Sequence, residues 1–503
     1  MTIALSVAVP FGMVGIGPAG AAPAGLTVTV DASKPGFQIP ADFVGLSFEA
    51  NQMHRTWTDP NRGNMAALLA NLGPGNLRFS ANQVDNTAWM SDPSKPTPSW
   101  AKDGQRVEPA DLSRVGDLAR AIGWSVDLGV NFGHFDPAAA ANQAAAAQAR
   151  IGSSLRSIQI GNEPNAYALN IASGDRKIYN PRSYVHDSKV YRNAIRAQAP
   201  GVRIEGPDTI GASIGVAAVD PGMWPTIVQP WLDAYTAAFA SESRFLTQHY
   251  YPYVNVTRVG VPAGVADPVG ALPTIDRLLD PATRAKQDKF LRTFASTAHK
   301  AGLKAHLTET NSVAKEGREG VTNSFGAALW TVDYLMTAAR AGVAGFNLHN
   351  QVDDCQSYPL FCFPNAAAKQ SDMAIVNPNY YATLMVSKMA GGRVLPTATT
   401  GRAGVTAHAV RMSDGQVKVI VTNLDKNFRG KVTVKVVGVD SSSASVQQLT
   451  APSIYATTGT RFAGSTVTPQ GSFAVQPGTP IAKGVNGYPL TFGKPGAALM
   501  TVG

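Results

Sequence analysis

Charge is scarce in this chain. Only 15% of its residues are Asp, Glu, Lys or Arg, against 44% hydrophobic, a balance that excludes an intrinsically disordered protein. Long apolar runs are also missing. No internal stretch of about 18 uncharged apolar residues is present to cross a bilayer as a helix. Cysteine occurs twice, at Cys355 and Cys362. Two thiols without His or acidic residues at ligand spacing make no metal centre, so neither a metal nor a cofactor is expected. No G-x-G-x-x-G follows the first strand-like segment, which argues against dinucleotide binding. Zinc-finger, helicase and RNA-binding motifs are absent, and no run of five basic residues occurs, so no nucleic acid partner is expected. The net charge of +9 nevertheless favours an acidic partner, such as an anionic polysaccharide or cell envelope.

What is present begins with an apolar stretch rich in small residues. "MTIALSVAVPFGMVGIGPAGAAPAG" has the h-region of a secretory signal, with A-x-A-like spacing over Ala19–Ala22 and no basic n-region. Residues 1–22 read as this segment. Pro10, Gly12 and Gly15 argue against a stable membrane helix, so the expected location is secreted or in the envelope or periplasm. In an exported chain, Cys355 and Cys362 read as one loop-closing disulfide; a free buried pair is the alternative. The bridge would stiffen the loop carrying Tyr358 and bring that residue near a ligand.

From about residue 44 to 392, strand-like and helix-like segments alternate. The strands are "VGLSFE" (44–49), "NLRFSAN" (76–82), "WSVDLGVNF" (124–132), "SIQIGNE" (157–163), "RIEGPDT" (203–209), "RFLTQHYY" (244–251), "KAHLTET" (304–310) and "VAGFNLHN" (343–350). Eight helical segments separate and follow them, several ending in Gly as helix C-termini commonly do. Eight β-then-α units predict a (β/α)8 TIM barrel over 41–392, with a doubly wound open sheet as the alternative. Beyond 393 the period changes to two, around the turn "SDGQ", and helical patterns vanish. Residues 393–503 therefore predict an antiparallel β-sandwich, and the alternating stretch within 26–40 predicts a strand that joins it.

Barrel chemistry sits at the C-terminal ends of the strands. Those ends carry Glu49 (first), Arg78 leading to Asn82 (second), Asn162 and Glu163 (fourth), Gln248 to Tyr251 (sixth), Glu309 (seventh) and His349 with Asn350 (eighth). Ending an apolar strand on a carboxylate is costly if that carboxylate is buried and unpaired. Glu163 and Glu309 facing one mouth suit glycoside cleavage, in which one carboxyl protonates the leaving oxygen and the other attacks the anomeric carbon or activates water. A structural ion pair to Arg78 is the alternative for either glutamate.

The ordered set "FVGLSFE", "LRFSANQVDNTAW", "QIGNEPN", "QHYY" and "ETNSV…GVTNSFGAALWTVDYL" resembles glycoside hydrolase family 79, which contains heparanases and β-glucuronidases. The resemblance covers most of the barrel and the trailing sandwich. It implies a retaining β-glycoside hydrolase with Glu163 as acid/base, Glu309 as nucleophile and Asn162 on the sugar 2-OH. It further implies that Tyr250 lies beside the nucleophile and orients it, that Glu49 and Asn82 hold sugar hydroxyls, and that Arg78 keeps Glu309 ionised. Gln248 and His249 would line subsites. The alternatives are a core aromatic for Tyr250 and a structural histidine for His249.

After the nucleophile, the family's glucuronidases place a Tyr/Gly-rich stretch whose amides bind the sugar carboxylate. This chain has "ETNSVAKEGREG", in which Lys315 would supply a charge-assisted contact or belong to a solvated loop. The departure bears on glucuronate specificity, and leaves cleavage of a neutral β-glycoside or disaccharide unit as the alternative reaction. A non-catalytic glycan-binding envelope protein is the third reading. The loops 84–106, 211–224 and 351–376 are expected to wall the cleft.

Overall fold

The computed structural model describes residues 26–167, 179–210, 227–255, 272–402 and 404–503. The signal-like segment 1–22 and the loop 211–224 lie outside the described residues. Eight parallel strands close into a barrel in chain order: Val44–Glu49, Gly75–Ser80, Ser125–Val130, Leu155–Ile160, Ile204–Ile210, Phe245–Tyr250, Lys304–Thr310 and Val343–His349. Gly75–Ser80, Ile204–Ile210, Phe245–Tyr250 and Val343–His349 are buried at every position. Barrel strands are covered on both faces, so they read as continuous apolar or paired-polar runs rather than as alternating ones.

A helix follows each strand, from Met65–Ala70 after the first to Pro378–Ser387 after the eighth. Local chemistry sets their ends. Pro109–Ile122 starts with Pro at its first turn and a reciprocal Glu108–Asp111 capping box, and stops at Gly123 in the left-handed region (φ 70°). Phe325–Ala341 is buried along nearly its whole length, because it packs against the barrel on one side and the C-terminal sheets on the other. Two of its first-turn N–H groups donate outside the helix, Phe325 to Ala456 O (2.8 Å) and Gly326 to Ile454 O (2.7 Å).

The C-terminal region forms two sheets. One orders Thr397–Thr400, Thr27–Asp31, Gly430–Val437 and Tyr488–Phe492; the other centres on Val405–Arg411, Val417–Asn423, Gly496–Val502 and Ser443–Thr450. Val28, Val30, Val419, Val421, Val434 and Met500 fill the space between them. The N-terminal strand Thr27–Asp31 joins the first sheet, antiparallel to Thr397–Thr400 but parallel to Gly430–Val437. The sandwich is therefore not wholly antiparallel: a strand arriving from the far end of the chain is not bound by hairpin connectivity.

Candidate active site

The fourth barrel strand ends at Ile160 and the chain turns sharply. Gly161 has φ 75°, and a Cβ there would sit 2.7 Å from both Phe132 and the Tyr167 hydroxyl, so only glycine fits. Glu163 itself adopts φ 50°, a conformation that costs a non-glycine residue about 1–3 kcal/mol. Hydrogen bonds hold it there: Glu163 N donates to Asp208 O (3.0 Å) and Ala166 N to Glu163 O (2.8 Å). On the seventh strand the pairing register slips beside Glu309 on both neighbouring strands. Such irregularities re-aim side chains. Here they let Thr308, bonded to Asp208 Oδ1 (2.5 Å), and Glu309 both turn toward the interior.

The two glutamates meet in one cavity of about 710 Å³ at the barrel mouth. One carboxylate oxygen of each, with a ring nitrogen of His249, lie within 4.8 Å of one another. Glu309 is gripped on both oxygens: Arg78 Nη1 donates to Oε2 (2.9 Å) and the Tyr251 hydroxyl to Oε1 (2.8 Å). Burial pushes the Glu309 carboxyl up. The charges of His349, His249 and Arg78 and the Tyr251 bond outweigh that and hold it well below the usual carboxylate range. Burial, then the Glu309 charge, drives the Tyr251 hydroxyl well above its ordinary value, so it stays a donor. Burial lowers His349, but the charges of Glu309 and Glu49 raise it further, for a net upward shift.

Glu163 has different company. His249 Nδ1 lies 2.9 Å from Glu163 Oε1 and donates to it in the Nδ1–H tautomer. Behind the imidazole, its Nε2 stands 3.8 Å from Asp208 Oδ1, and Asp208 Oδ2 stands 3.7 Å from Arg78 Nη2, too far for direct hydrogen bonds. Three residues with one ligand atom each could bracket a cation in geometry alone. The Arg78 guanidinium already supplies the positive charge to Glu309, which argues against a metal role.

The other expected residues fall into three groups. Glu49, Asn82, Lys315 and Tyr358 line the cavity, and Asn162 bridges it to the wall, accepting from Arg78 Nη2 (2.9 Å) and donating to Asn82 Oδ1 (3.3 Å). Glu49 accepts from Gln83 N (2.7 Å) and approaches His349 Nε2 at 3.6 Å. Lys315 is exposed, at φ 60°, followed by Glu316 and Gly317 also in the left-handed region. Cys355 and Cys362 are disulfide-bonded, their Cα atoms 5.2 Å apart, beneath the loop that carries Tyr358.

Three expectations are corrected. Tyr250 does not touch Glu309: its ring stacks on Phe290 (4.2 Å) and Tyr334, outside the barrel wall. Strand alternation explains this, since His249 faces inward, Tyr250 outward and Tyr251 inward again. Gln248 lines no subsite; it is fully buried, accepting from Thr209 Oγ1 (2.5 Å) and donating to His249 O (3.2 Å). His249 is likewise buried and lies beneath Glu163 rather than along the cleft. Tyr251, His349 and Asp208 are the residues to which no role was assigned from sequence. Tyr251 and His349 stood at strand ends, the signal that could have found them.

No protein-family model matches the chain. A stretch of 129 residues is 32% identical to a β-glucuronidase from Aspergillus niger (strain ATCC MYA-4892 / CBS 513.88 / FGSC A1513), covering 24% of this chain and 22% of that enzyme. The match thus spans about a fifth of that relative's length. Over 94% of the chain, the fold superposes on the whole of a 4-O-α-L-rhamnosyl-β-D-glucuronidase from Fusarium oxysporum 12S, with a TM-score of 0.72 at 19% identity. It superposes on the whole of the GH51 arabinofuranosidase from Xanthomonas axonopodis pv. citri over 95% of the chain, with a TM-score of 0.64 at 14% identity. These structural likenesses are of fold. The chain has the barrel-plus-sandwich architecture of these glycoside hydrolases and shares a stretch of sequence with one that acts on glucuronides.

Proposed function

We propose that this chain is an exported, retaining β-glycoside hydrolase of the family 79 type, acting on glucuronic-acid-containing glycosides. The observation that carries the reading is the carboxylate pair. Inverting pairs stand about 6.5–9.5 Å apart to admit a water, and retaining pairs about 5–5.5 Å; an oxygen–oxygen approach within 4.8 Å supports the second. The partners support the roles. Glu309, held ionised, attacks the anomeric carbon while Glu163 protonates the departing oxygen. The glycosyl–Glu309 ester cancels the Glu309 charge, and Glu163, now a carboxylate, takes a proton from the water that attacks the same carbon and frees Glu309. Asn162, bonded by Arg78 and Asn82, would bond the 2-OH.

The glucuronide part of the reading is supported by the two glucuronidase likenesses and by Lys315 at the cavity. A neutral sugar is the second reading, because Glu49, Glu163, Glu309, Glu316 and Asp353 also line the cavity and would repel a sugar carboxylate. Among the described residues, no helix is long and apolar enough to cross a membrane. The disulfide supports an oxidising compartment.

The test uses 4-nitrophenyl β-glucuronide and β-glucoside with Glu163→Ala and Glu309→Ala. The Glu309 variant should lose turnover, and azide should restore a product of inverted anomeric configuration. The Glu163 variant should still form the intermediate from the activated phenol, with azide giving a product of retained configuration. Inverted product from the Glu163 variant would exchange the two roles; inverted sugar from the unmutated protein would refute retention.

A further inference from the structure

A second, smaller pocket of about 150 Å³ opens on the same face, between the loops that follow the second and third barrel strands. The reaction above does not use it. Trp100 forms one wall, 39% exposed, its ring stacked on His134 with centroids 4.1 Å apart. Trp89 forms another, anchored by its Nε1 donating to Asn142 Oδ1 (2.8 Å). Gln143 lies at the back. It is 6% exposed, and among the described residues its amide has no hydrogen-bond partner. The amide atoms keep access to solvent through the pocket, so this position can bond a ligand or a water. The Asp136 carboxylate also lines the pocket, using Oδ1 to cap the helix Pro137–Ile151 through Ala139 N (2.9 Å).

A two-stranded ladder lies between the pocket and the main cavity. Ala88–Trp89 pairs with Arg106–Val107, and Gln105, one residue earlier, lines the main cavity and accepts from Thr87 Oγ1 (3.3 Å). A glycan occupying both spaces would run along this ladder.

We propose that this pocket is an accessory subsite for a neutral pyranose, a distal sugar of the chain whose glycosidic bond lies between Glu163 and Glu309. The proposal rests on the glycosidase reading. An aromatic wall takes the apolar C–H face of a pyranose, while the Gln143 amide and the Asp136 carboxylate take its hydroxyls. The volume is on the scale of one monosaccharide. The pocket's lining includes Asp136 and neither Lys nor Arg, so a carboxylated or sulfated sugar is disfavoured there.

The experiment compares the intact chain with Trp100→Ala and, separately, Gln143→Leu. The readout is the ratio of kcat/KM on heparosan, hyaluronan and chondroitin tetrasaccharides to that on 4-nitrophenyl β-glucuronide. Cellotetraose and xylotetraose against their nitrophenyl glycosides serve if only neutral sugars are turned over. The Trp100 variant should lower this ratio by about tenfold or more, through KM, as expected for loss of one stacking contact. An unchanged ratio overturns the subsite, as does cleavage of nitrophenyl glycosides without cleavage of any tetrasaccharide. If the unmutated protein turns over nothing, the glycosidase reading has failed and calorimetric binding of the same tetrasaccharides decides. Binding lost in the Trp100 variant keeps the subsite; binding absent, or indifferent to Trp100, discards it. Gln143→Leu separates a ligand from a water: weaker tetrasaccharide binding or a lower ratio supports the ligand, and no change assigns the amide to water and overturns its part in the subsite.

Discussion

Replacing Arg78 by Gln tests the electrostatics of the site without assuming a substrate. Arg78 is fully buried and donates to Glu309 Oε2 (2.9 Å), Ser47 Oγ (3.0 Å), Gln159 Oε1 (2.7 Å) and Asn162 Oδ1 (2.9 Å). Breaking a buried ion pair by removing one partner costs about 3–5 kcal/mol. Gln can remake only one or two of the remaining bonds, each of about 0.5–1.5 kcal/mol. The Arg78→Gln variant should therefore lose about 4 kcal/mol of unfolding free energy at pH 7. The loss should depend on pH. Glu309 is depressed in the folded state, so it contributes stability above its unfolded pKa of about 4.3, which is lost as pH falls through the lower folded value. Without Arg78 the folded value rises, and the gap between variant and unmutated protein should narrow below about pH 4.3. Urea unfolding at pH 7 and pH 3 measures both effects. If an aryl glycoside is turned over, the acid limb of kcat/KM should also move up by about one to two units, from a charge-assisted contact of about 1.5–3 kcal/mol at about 1.36 kcal/mol per unit. A loss equal at both pH values, with an unmoved acid limb, would refute the claim that Arg78 keeps Glu309 ionised.

Tyr251→Phe removes the hydroxyl on Glu309 Oε1 and should lower kcat/KM about 10- to 100-fold, a loss of about 1.5–3 kcal/mol. Tyr250→Phe should change it less than about twofold, because that hydroxyl makes no hydrogen bond among the described residues and faces the helices; the reverse order in steady-state assays would restore Tyr250 as the orienting residue. Lys315→Ala should lower turnover of 4-nitrophenyl β-glucuronide by about 10-fold or more and leave the β-glucoside nearly unchanged, if Lys315 meets the sugar carboxylate. Equal small effects on the two sugars would return Lys315 to the solvated loop and favour the neutral-sugar reading.

Much of this architecture was legible because the signals were long and repeated. Each of the eight strand segments appears in the barrel, and Lys304–Thr310 and Val44–Glu49 have the expected bounds. Apolar runs bounded by Gly and helical periods survive any single error, and eight of them in sequence leave few closed arrangements. Glu163 and Glu309 were legible for a related reason: a carboxylate at the end of a buried strand has no place in a core. The parallel pairing of Thr27–Asp31 with Gly430–Val437 was not legible, because nothing local specifies the partner of a strand some 400 residues away.

The remaining misses lie where regular alternation breaks. Reading "QHYY" as a strand through residue 251 left open which tyrosine faces inward. The structure ends that strand at Tyr250, and Tyr251 continues the inward phase of His249. Asp208 was hidden more deeply. The pairing register slips between Gly206 and Thr209, and Asp208 sits at φ 52°, so period-two counting cannot say that its carboxylate lies behind His249. The slip at Glu309 and the left-handed backbone at Glu163 are irregularities of the same kind. Regular alternation builds the barrel wall, whose inward positions must be filled; departures from it bring adjacent polar residues into one space and hold them there by hydrogen bonds. In this chain, the irregular backbone at Glu163, Asp208 and Glu309 marks where the barrel wall becomes the candidate active site.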